Sequence, residues 1–108
     1  MFYRQKIVLG MLELNEGVLK RTDLQKLLFL FCQETGQDFY DFFPHQYGSF
    51  SLLSYYDRHK LIETGHLKDV KDFELRERVQ FEKLKLKRKD YLASVSYTHL
   101  TLPTIYSV

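Results

Sequence analysis

Apolar residues in the first part of the chain recur at helical spacing. They lie three and four residues apart and so share one face of a helix over about 3–15; they are Ile7, Val8, Met11 and Leu12. Gly10 weakens this helix by about 1 kcal/mol relative to alanine, and Gly17 is expected to end it. The pattern predicts a first amphipathic helix with one buried face.

The second predicted helix, over about 22–35, is apolar nearly all round in its middle. We therefore expect it to be the central and most buried helix. Thr22 and Gln25 have the spacing of a capping box, and Gly36 is expected to end the helix. An extended piece over about 39–43 and a tight turn at Gly48 should follow.

A third helix is predicted over about 52–64, with Ser49 or Ser51 as its N-cap. Its expected buried stripe is Leu52, Tyr55, Tyr56, His59 and Ile62. The pattern then changes to the period of two that is typical of strands, with the pairs Phe73 and Leu75, Val79 and Phe81, and Leu84 and Leu86. A last helix begins near Arg88 and breaks off at Ser94.

These elements predict an α+β, mainly helical fold. Three helices followed by a β-hairpin is the element order of a winged helix-turn-helix domain, which we favour over another small α+β topology. The length of 108 residues fits one domain. The single cysteine excludes an internal disulfide and fits a reducing compartment. Since no signal peptide or long apolar run is present, we expect a cytoplasmic protein that makes no contact with a membrane.

Two short motifs within residues 22–67 resemble a known family. A helix with the sequence Leu-Gln-Lys-Leu-Leu-Phe, residues 24–29, precedes a turn with the sequence Tyr-Gly-Ser-Phe, residues 47–50. This stretch resembles the N-terminal winged-helix-like region of uncharacterised bacterial proteins and, more distantly, the Panacea (SocA-like) antitoxin domain. Ser49 stands where that family usually has proline. The resemblance implies a regulatory protein-binding module, whose partner in such antitoxins is a cognate toxin and in longer proteins a further domain.

The remaining polar residues form no recognisable catalytic or metal-binding pattern. Cys32 lies on the apolar face of the second helix, where free cysteine is usually a small core residue rather than a nucleophile. His45, His59 and His66 lack the short spacings of zinc ligands. We therefore expect no catalytic site, no metal, no cofactor and no small-molecule substrate for this part of the chain.

The turn with the sequence FPHQYGSFS is the candidate protein interface. It brings aromatic and amide side chains together around a glycine, and aromatic residues are enriched at protein interfaces. The candidate residues are Phe43, His45, Gln46, Tyr47, Gly48 and Phe50. The alternative, which the sequence leaves open, is that Tyr47 and Phe50 seal the core between the second and third helices.

A basic run gives the alternative nucleic-acid contact. Its lysines alternate with leucines, which fits either phosphate contacts or, as we favour, the solvent side of an edge strand. The candidate residues, with those of the third helix that would contact bases, are Arg58, Lys60, Lys83, Lys85, Lys87, Arg88 and Lys89. The predicted function is a regulatory protein-interaction module, antitoxin-like. The alternatives are a DNA-binding winged helix and an accessory domain of a longer protein.

The last residues, 95–108, contain no Lys, Arg, Asp or Glu, although 28 % of the chain is charged. Residues 95–104 can be back-translated as GTC TCT TAT ACA CAT CTG ACG CTG CCG ACG. That string resembles the reverse complement of the transposase end and primer site of a common sequencing-library adapter, and a sample index followed by GTG TAG accounts for 105–108 and the stop. We therefore expect a truncated natural fragment over 1–94, of bacterial metagenomic origin, and a non-native, loosely held tail over 95–108.

Overall fold

The computed structural model describes residues 1–37, 39–40, 42–45 and 48–96; for 42–45, 48–50 and 96 it describes the backbone alone. These residues form an α+β, mainly helical domain, as predicted. The helices are α1 (Tyr3–Leu14), α2 (Arg21–Thr35), α3 (Leu52–Glu63) and α4 (Arg88–Ser96), and a 3-10 helix covers Phe81–Leu84. The strands are β1 (Val18–Leu19), β2 (Phe42–His45), β3 (Gly48–Ser51) and β4 (Phe73–Glu74).

Helices α1 and α2 supply more than half of the buried apolar residues of the core. The apolar face of α1 and the central part of α2 are fully buried, including Ile7, Val8, Leu12, Leu24, Leu27, Leu28 and Phe31. Gly36 ends α2 in the left-handed conformation, with φ 71°, which glycine adopts without steric cost. The bounds of the predicted helices are confirmed to within two residues. No helix in the described part of the chain combines the length and apolarity that crossing a bilayer requires.

The predicted N-cap of the second helix is wrong. The N-cap of α2 is Lys20 rather than Thr22, and the Lys20 side chain makes no capping hydrogen bond. Instead the backbone N–H of Arg21 donates to Asp72 Oδ1 at 3.3 Å, so a carboxylate distant in sequence lies at the positive end of the helix dipole. Ser51 precedes α3 as predicted but makes no side-chain capping hydrogen bond.

The hairpin after the third helix lies earlier than predicted, over residues 66–76. Leu67 and Leu75 form an antiparallel bridge, Lys68 N donates to Glu74 O at 2.8 Å, and Arg76 N donates to His66 O at 3.0 Å. On its other side β4 pairs antiparallel with β1. A small sheet therefore joins the strand after α1 to the hairpin after α3.

Residues 81–84 form a 3-10 helix rather than the predicted strand. A Cβ atom placed on Gly10 of α1 would lie 3.1 Å from Phe81 and 3.3 Å from Leu84. Both side chains thus pack against the bare backbone of Gly10. Residues three apart share one face of a 3-10 helix, so this conformation brings both to α1, whereas a strand would point them to opposite faces.

Between α2 and α3 the chain forms a second hairpin, β2–β3. The extended piece predicted over about 39–43 is therefore confirmed in part, since β2 begins at Phe42. In the register of the pair, Phe43 lies opposite Phe50 and His45 lies opposite Gly48. Gln46 and Tyr47 lie outside the described residues.

Candidate functional site

The predicted protein interface lies on the β2–β3 hairpin. The backbone register brings Phe43, His45, Gly48 and Phe50 together on adjacent strands, whereas Gln46 and Tyr47 fall outside the described residues. Since the side chains of this hairpin are not described, the predicted interface stays a prediction. The structure does describe one attachment of the hairpin to the core, at Ser51.

Gln25 of α2 attaches the hairpin through its side-chain amide. Its Nε2 donates to Ser51 O at 3.4 Å and to Ser54 Oγ, and its Oε1 accepts from Ser51 N at 3.2 Å. The amide therefore pairs with the Ser51 backbone much as a neighbouring strand would. Gln25 belongs to the Leu-Gln-Lys-Leu-Leu-Phe motif and Ser51 directly follows the Tyr-Gly-Ser-Phe motif, so these contacts join the first motif to the residue next to the second.

Asp57 is a buried carboxylate that attaches α3 to α1. It accepts hydrogen bonds from Arg4 Nε at 2.8 Å, Gln5 Nε2 at 2.8 Å and Tyr40 OH at 2.7 Å. Burial, reinforced by the negative charge of Asp57, raises the pKa of Tyr40 well above its ordinary value. Tyr40 is therefore a neutral donor to the carboxylate rather than a candidate base.

The buried face of α3 differs from the predicted stripe. Ser54, Asp57 and Leu61 are buried, whereas Leu52 and Tyr56 are exposed. A polar face can pack inward here because Asp57 receives three donors, and a buried charge is tolerated when it is paired and hydrogen-bonded. The helical spacing of residues 54, 57 and 61 was visible in the sequence, but hydrophobicity gave no reason to bury Ser54 and Asp57.

A second buried carboxylate, Asp90, attaches α4 to α1. Tyr3 OH donates to Asp90 Oδ2 at 2.6 Å, and Gln37 Nε2 donates to Oδ1 at 3.2 Å. The Tyr3 oxygen in turn accepts from Lys87 N at 2.8 Å. Burial and the hydrogen bond to Asp90 raise the pKa of Tyr3 to about 12. Sequence analysis missed this cluster because its members come from distant segments.

In α4, polar side chains are buried while larger apolar side chains are exposed. Asp90, Ala93 and Ser94 are 0 %, 5 % and 0 % exposed, whereas Tyr91 and Leu92 are 45 % and 53 % exposed. A groove of about 500 Å³, called here the α4 groove, lies next to Tyr91 between α4 and the 3-10 helix. It is lined by Leu14, Phe81, Leu86 and Tyr91 together with Glu82, Lys85 and Arg88.

The residues predicted to contact nucleic acid fall into two groups. In α3, Arg58 donates through an Nη atom to Val70 O in the 66–76 hairpin, and Lys60 lies 3.6 Å from Glu63. Both therefore have partners within the domain. The second group, Lys83, Lys85, Lys87, Arg88 and Lys89, is exposed. It lies on the 3-10 helix, the following loop and the start of α4, so the interpretation of these lysines as the solvent side of an edge strand is wrong.

The structure places the cysteine and two of the four histidines. Cys32 is buried in α2. His59 Nε2 lies 3.0 Å from Glu63, and His66 Nδ1 lies 2.9 Å from Thr64 Oγ1. The side chain of His45 is not described, and His99 lies outside the described residues. In the part of the chain that the structure describes, no group of three or more histidine, cysteine or acidic side chains could hold a metal ion.

Comparison with known proteins adds no relative to this picture. No protein-family model matches the chain, and neither a curated protein nor a solved structure matches it.

Proposed function

We propose that this chain is a regulatory protein-interaction module of the antitoxin-like kind, acting in the cytoplasm. The observation that carries the proposal is the orientation of α4, which buries Asp90 and Ser94 while Tyr91 and Leu92 are exposed. Burial of apolar surface is the main favourable term in most protein association. A helix that turns its larger apolar side chains outward is therefore suited to a protein partner. By the resemblance, that partner is a cognate toxin or a further domain of a longer chain.

The winged-helix fold is part of the same proposal. It is supported by three helices in sequence, a hairpin over 66–76 after the third helix, and the pairing of β1 with β4 in one small sheet. The connection between α2 and α3 differs from that of a DNA-binding helix-turn-helix. Here it contains the β2–β3 hairpin, whereas that motif has a short turn between its helices.

Co-expression with the product of the neighbouring reading frame in the source genome tests the function. We expect the two proteins to co-purify and the chain to relieve growth inhibition by its neighbour. Replacing both Tyr91 and Leu92 with serine should weaken both effects. The predicted hairpin interface is tested in parallel by Tyr47→Ala. The matched control is Tyr56→Ser, an exposed tyrosine on α3. A complex that neither change affects, or that the control weakens equally, would contradict the proposal.

DNA binding is the second candidate, and the exposed basic run from Lys83 to Lys89 is the observation that favours it. Phosphate contacts release counterions, so binding to random duplex DNA should weaken steeply as salt rises from about 50 mM to about 200 mM. Weak binding at the lower salt concentration with little salt dependence would exclude this function. Strong binding that the replacement of Lys85 and Arg88 by glutamate abolishes would favour it over the first.

We further propose that residues 95–108 are an adapter-derived tail and that 1–94 is a natural fragment. The match to the adapter string and the absence of charged residues support this. Sequencing of the parent genomic DNA past the Ser94 codon should give a string that differs from the adapter at once. The adapter codons in unamplified genomic DNA would contradict the proposal.

A further inference from the structure

The α4 groove has an apolar floor that its surroundings hold in place. Phe81 packs on Gly10 of α1 and meets the ring of Tyr91 edge-on, with centroids 5.2 Å apart and an interplanar angle of 76°. This is the tilted geometry that aromatic pairs prefer. Leu14 and Leu86 complete the floor. The groove is therefore a preformed apolar surface next to the exposed side of α4.

The edge of the groove carries two cations. Lys85 and Arg88 line it, and neither forms an ion pair with any residue that the structure describes. Lys83, Lys87 and Lys89 are exposed in the same segment.

Acidic groups near this edge are few. Within residues 82–90 the acidic residues are Glu82, which lines the groove, and Asp90, which is fully buried. On α1, Glu13 is held by Arg78 at 2.5 Å. At the groove itself, Lys85 and Arg88 lie beside one carboxylate, that of Glu82. Lys87 lies over the ring of Tyr3, and Lys89 lines a separate pocket with Glu34. The charge around the apolar floor is therefore net positive.

We infer that the α4 groove binds an acidic peptide segment whose apolar side chain lies on Phe81, Leu86 and Tyr91. The carboxylates on either side of that apolar anchor would contact Lys85 and Arg88. This inference rests on the proposed function and specifies the chemistry of the partner. Complementary charge raises the rate of association and selects among partners, while the apolar floor supplies the buried contact at the centre.

A peptide fits the α4 groove better than a phosphodiester chain. The floor contains two leucines beside its two aromatic rings, and aliphatic side chains offer no plane on which a base can stack. Glu82 lines the groove, and its carboxylate can accept a hydrogen bond from a peptide N–H, a donor that a phosphodiester backbone lacks. The outcome of the experiment below separates the two.

The test uses a fluorescently labelled peptide, Asp-Glu-Asp-Phe-Leu-Glu-Asp-Glu, and measures fluorescence anisotropy with the full chain. Two further peptides replace the Phe-Leu pair with Ser-Ser or each acidic residue with lysine. A labelled oligonucleotide is measured in single-stranded and duplex form. The groove variant carries both Lys85→Glu and Arg88→Glu. The control variant carries both Lys20→Glu and Lys26→Glu, which make the same charge change at residues that do not line the groove. Both pairs are exposed, so all variants should keep the thermal midpoint.

We expect the acidic peptide to bind, and the groove variant to weaken binding at least tenfold while the control variant changes it less than twofold. Loss of the Phe-Leu anchor should also weaken binding at least fivefold. Equal losses in both charge variants, or binding independent of the anchor, would overturn the inference. Tighter binding of either oligonucleotide would overturn it in favour of nucleic acid. A neighbour-encoded partner that binds regardless of Lys85 and Arg88 would leave the proposed function standing and remove this site alone.

Discussion

Two buried aspartates, Asp57 and Asp90, attach α3 and α4 to the rest of the domain, and both accept hydrogen bonds from the first turn of α1. Arg4 and Gln5 donate to Asp57 of α3, whereas the preceding residue, Tyr3, donates to Asp90 of α4. Asp57 thus has a cation within 2.8 Å. Asp90 receives hydrogen bonds from neutral donors among the described residues.

The difference in donors implies a difference in strength. Removing one charge of a buried ion pair leaves the other charge uncompensated, which costs more than the loss of neutral hydrogen bonds. The attachment of α3 should therefore be part of the global stability of the domain. The attachment of α4, the helix that carries the proposed interface, should be the weaker of the two.

The largest effect is expected from Asp57→Ala. This change leaves Arg4 half-buried without its counter-ion and removes the acceptor of Gln5 and Tyr40, so we expect a loss of about 3–5 kcal/mol in the free energy of unfolding. Urea denaturation followed by circular dichroism measures it. Glu63→Ala, at an exposed acid of the same helix, should cost less than about 1 kcal/mol. If the two changes cost the same, Asp57 does not hold α3.

A smaller loss is expected from Asp90→Ala. The change leaves the hydroxyl of Tyr3 and the amide of Gln37 without an acceptor, at about 1–3 kcal/mol for unsatisfied buried donors. Amide hydrogen exchange should show faster exchange in α4 while α2 stays protected. A loss larger than that of Asp57→Ala, or faster exchange throughout the domain, would reverse the proposed order of the two attachments.

The pH dependence offers a third way to separate the two clusters. Because the pKa of Tyr3 is raised to about 12 from 10.0, the unfolded chain loses this proton at lower pH than the folded one. The contribution of Tyr3 to stability is thus complete below pH 10 and decreases as the pH rises toward 12. Tyr40, whose pKa is also raised, adds to the same decrease. Tyr3→Phe should therefore reduce the alkaline loss without abolishing it.

The effect is measured as the difference between the urea midpoints at about pH 9 and at about pH 11, because these two pH values bracket the ordinary tyrosine pKa. Tyr55→Phe, at a tyrosine of α3 outside both aspartate clusters, is the control and should keep the full alkaline decrease. An alkaline decrease that Tyr3→Phe leaves unchanged would show that the hydroxyl does not stay protonated in the folded state.

The same clusters explain how far the sequence predicts this fold. The helices were predictable because apolar residues at helical spacing define α1 and α2, and Gly36 marks an end that the structure confirms. The buried face of α3 was not predictable. Asp57 can be buried there because it accepts hydrogen bonds from Arg4, Gln5 and Tyr40, which no local sequence pattern brings together. The conformation of residues 81–84 was missed for a related reason, because it depends on the space that Gly10 leaves on another helix.

Removal of residues 95–108 should have the smallest effect of all. Among the residues that the structure describes, the Asp90 carboxylate is bound by Tyr3 and Gln37, Lys87 N donates to Tyr3, and Ser94 Oγ donates to Asp90 O at 2.8 Å. Since all of these residues precede 95, a chain that ends at Ser94 should keep the thermal midpoint of the full chain. A chain that ends at Lys87 is the control and should be destabilised, because it removes Asp90 and leaves Tyr3 without its acceptor. If the shorter deletion lowers the midpoint as much as the longer one, the tail contributes to the fold and Asp90 alone does not hold α4.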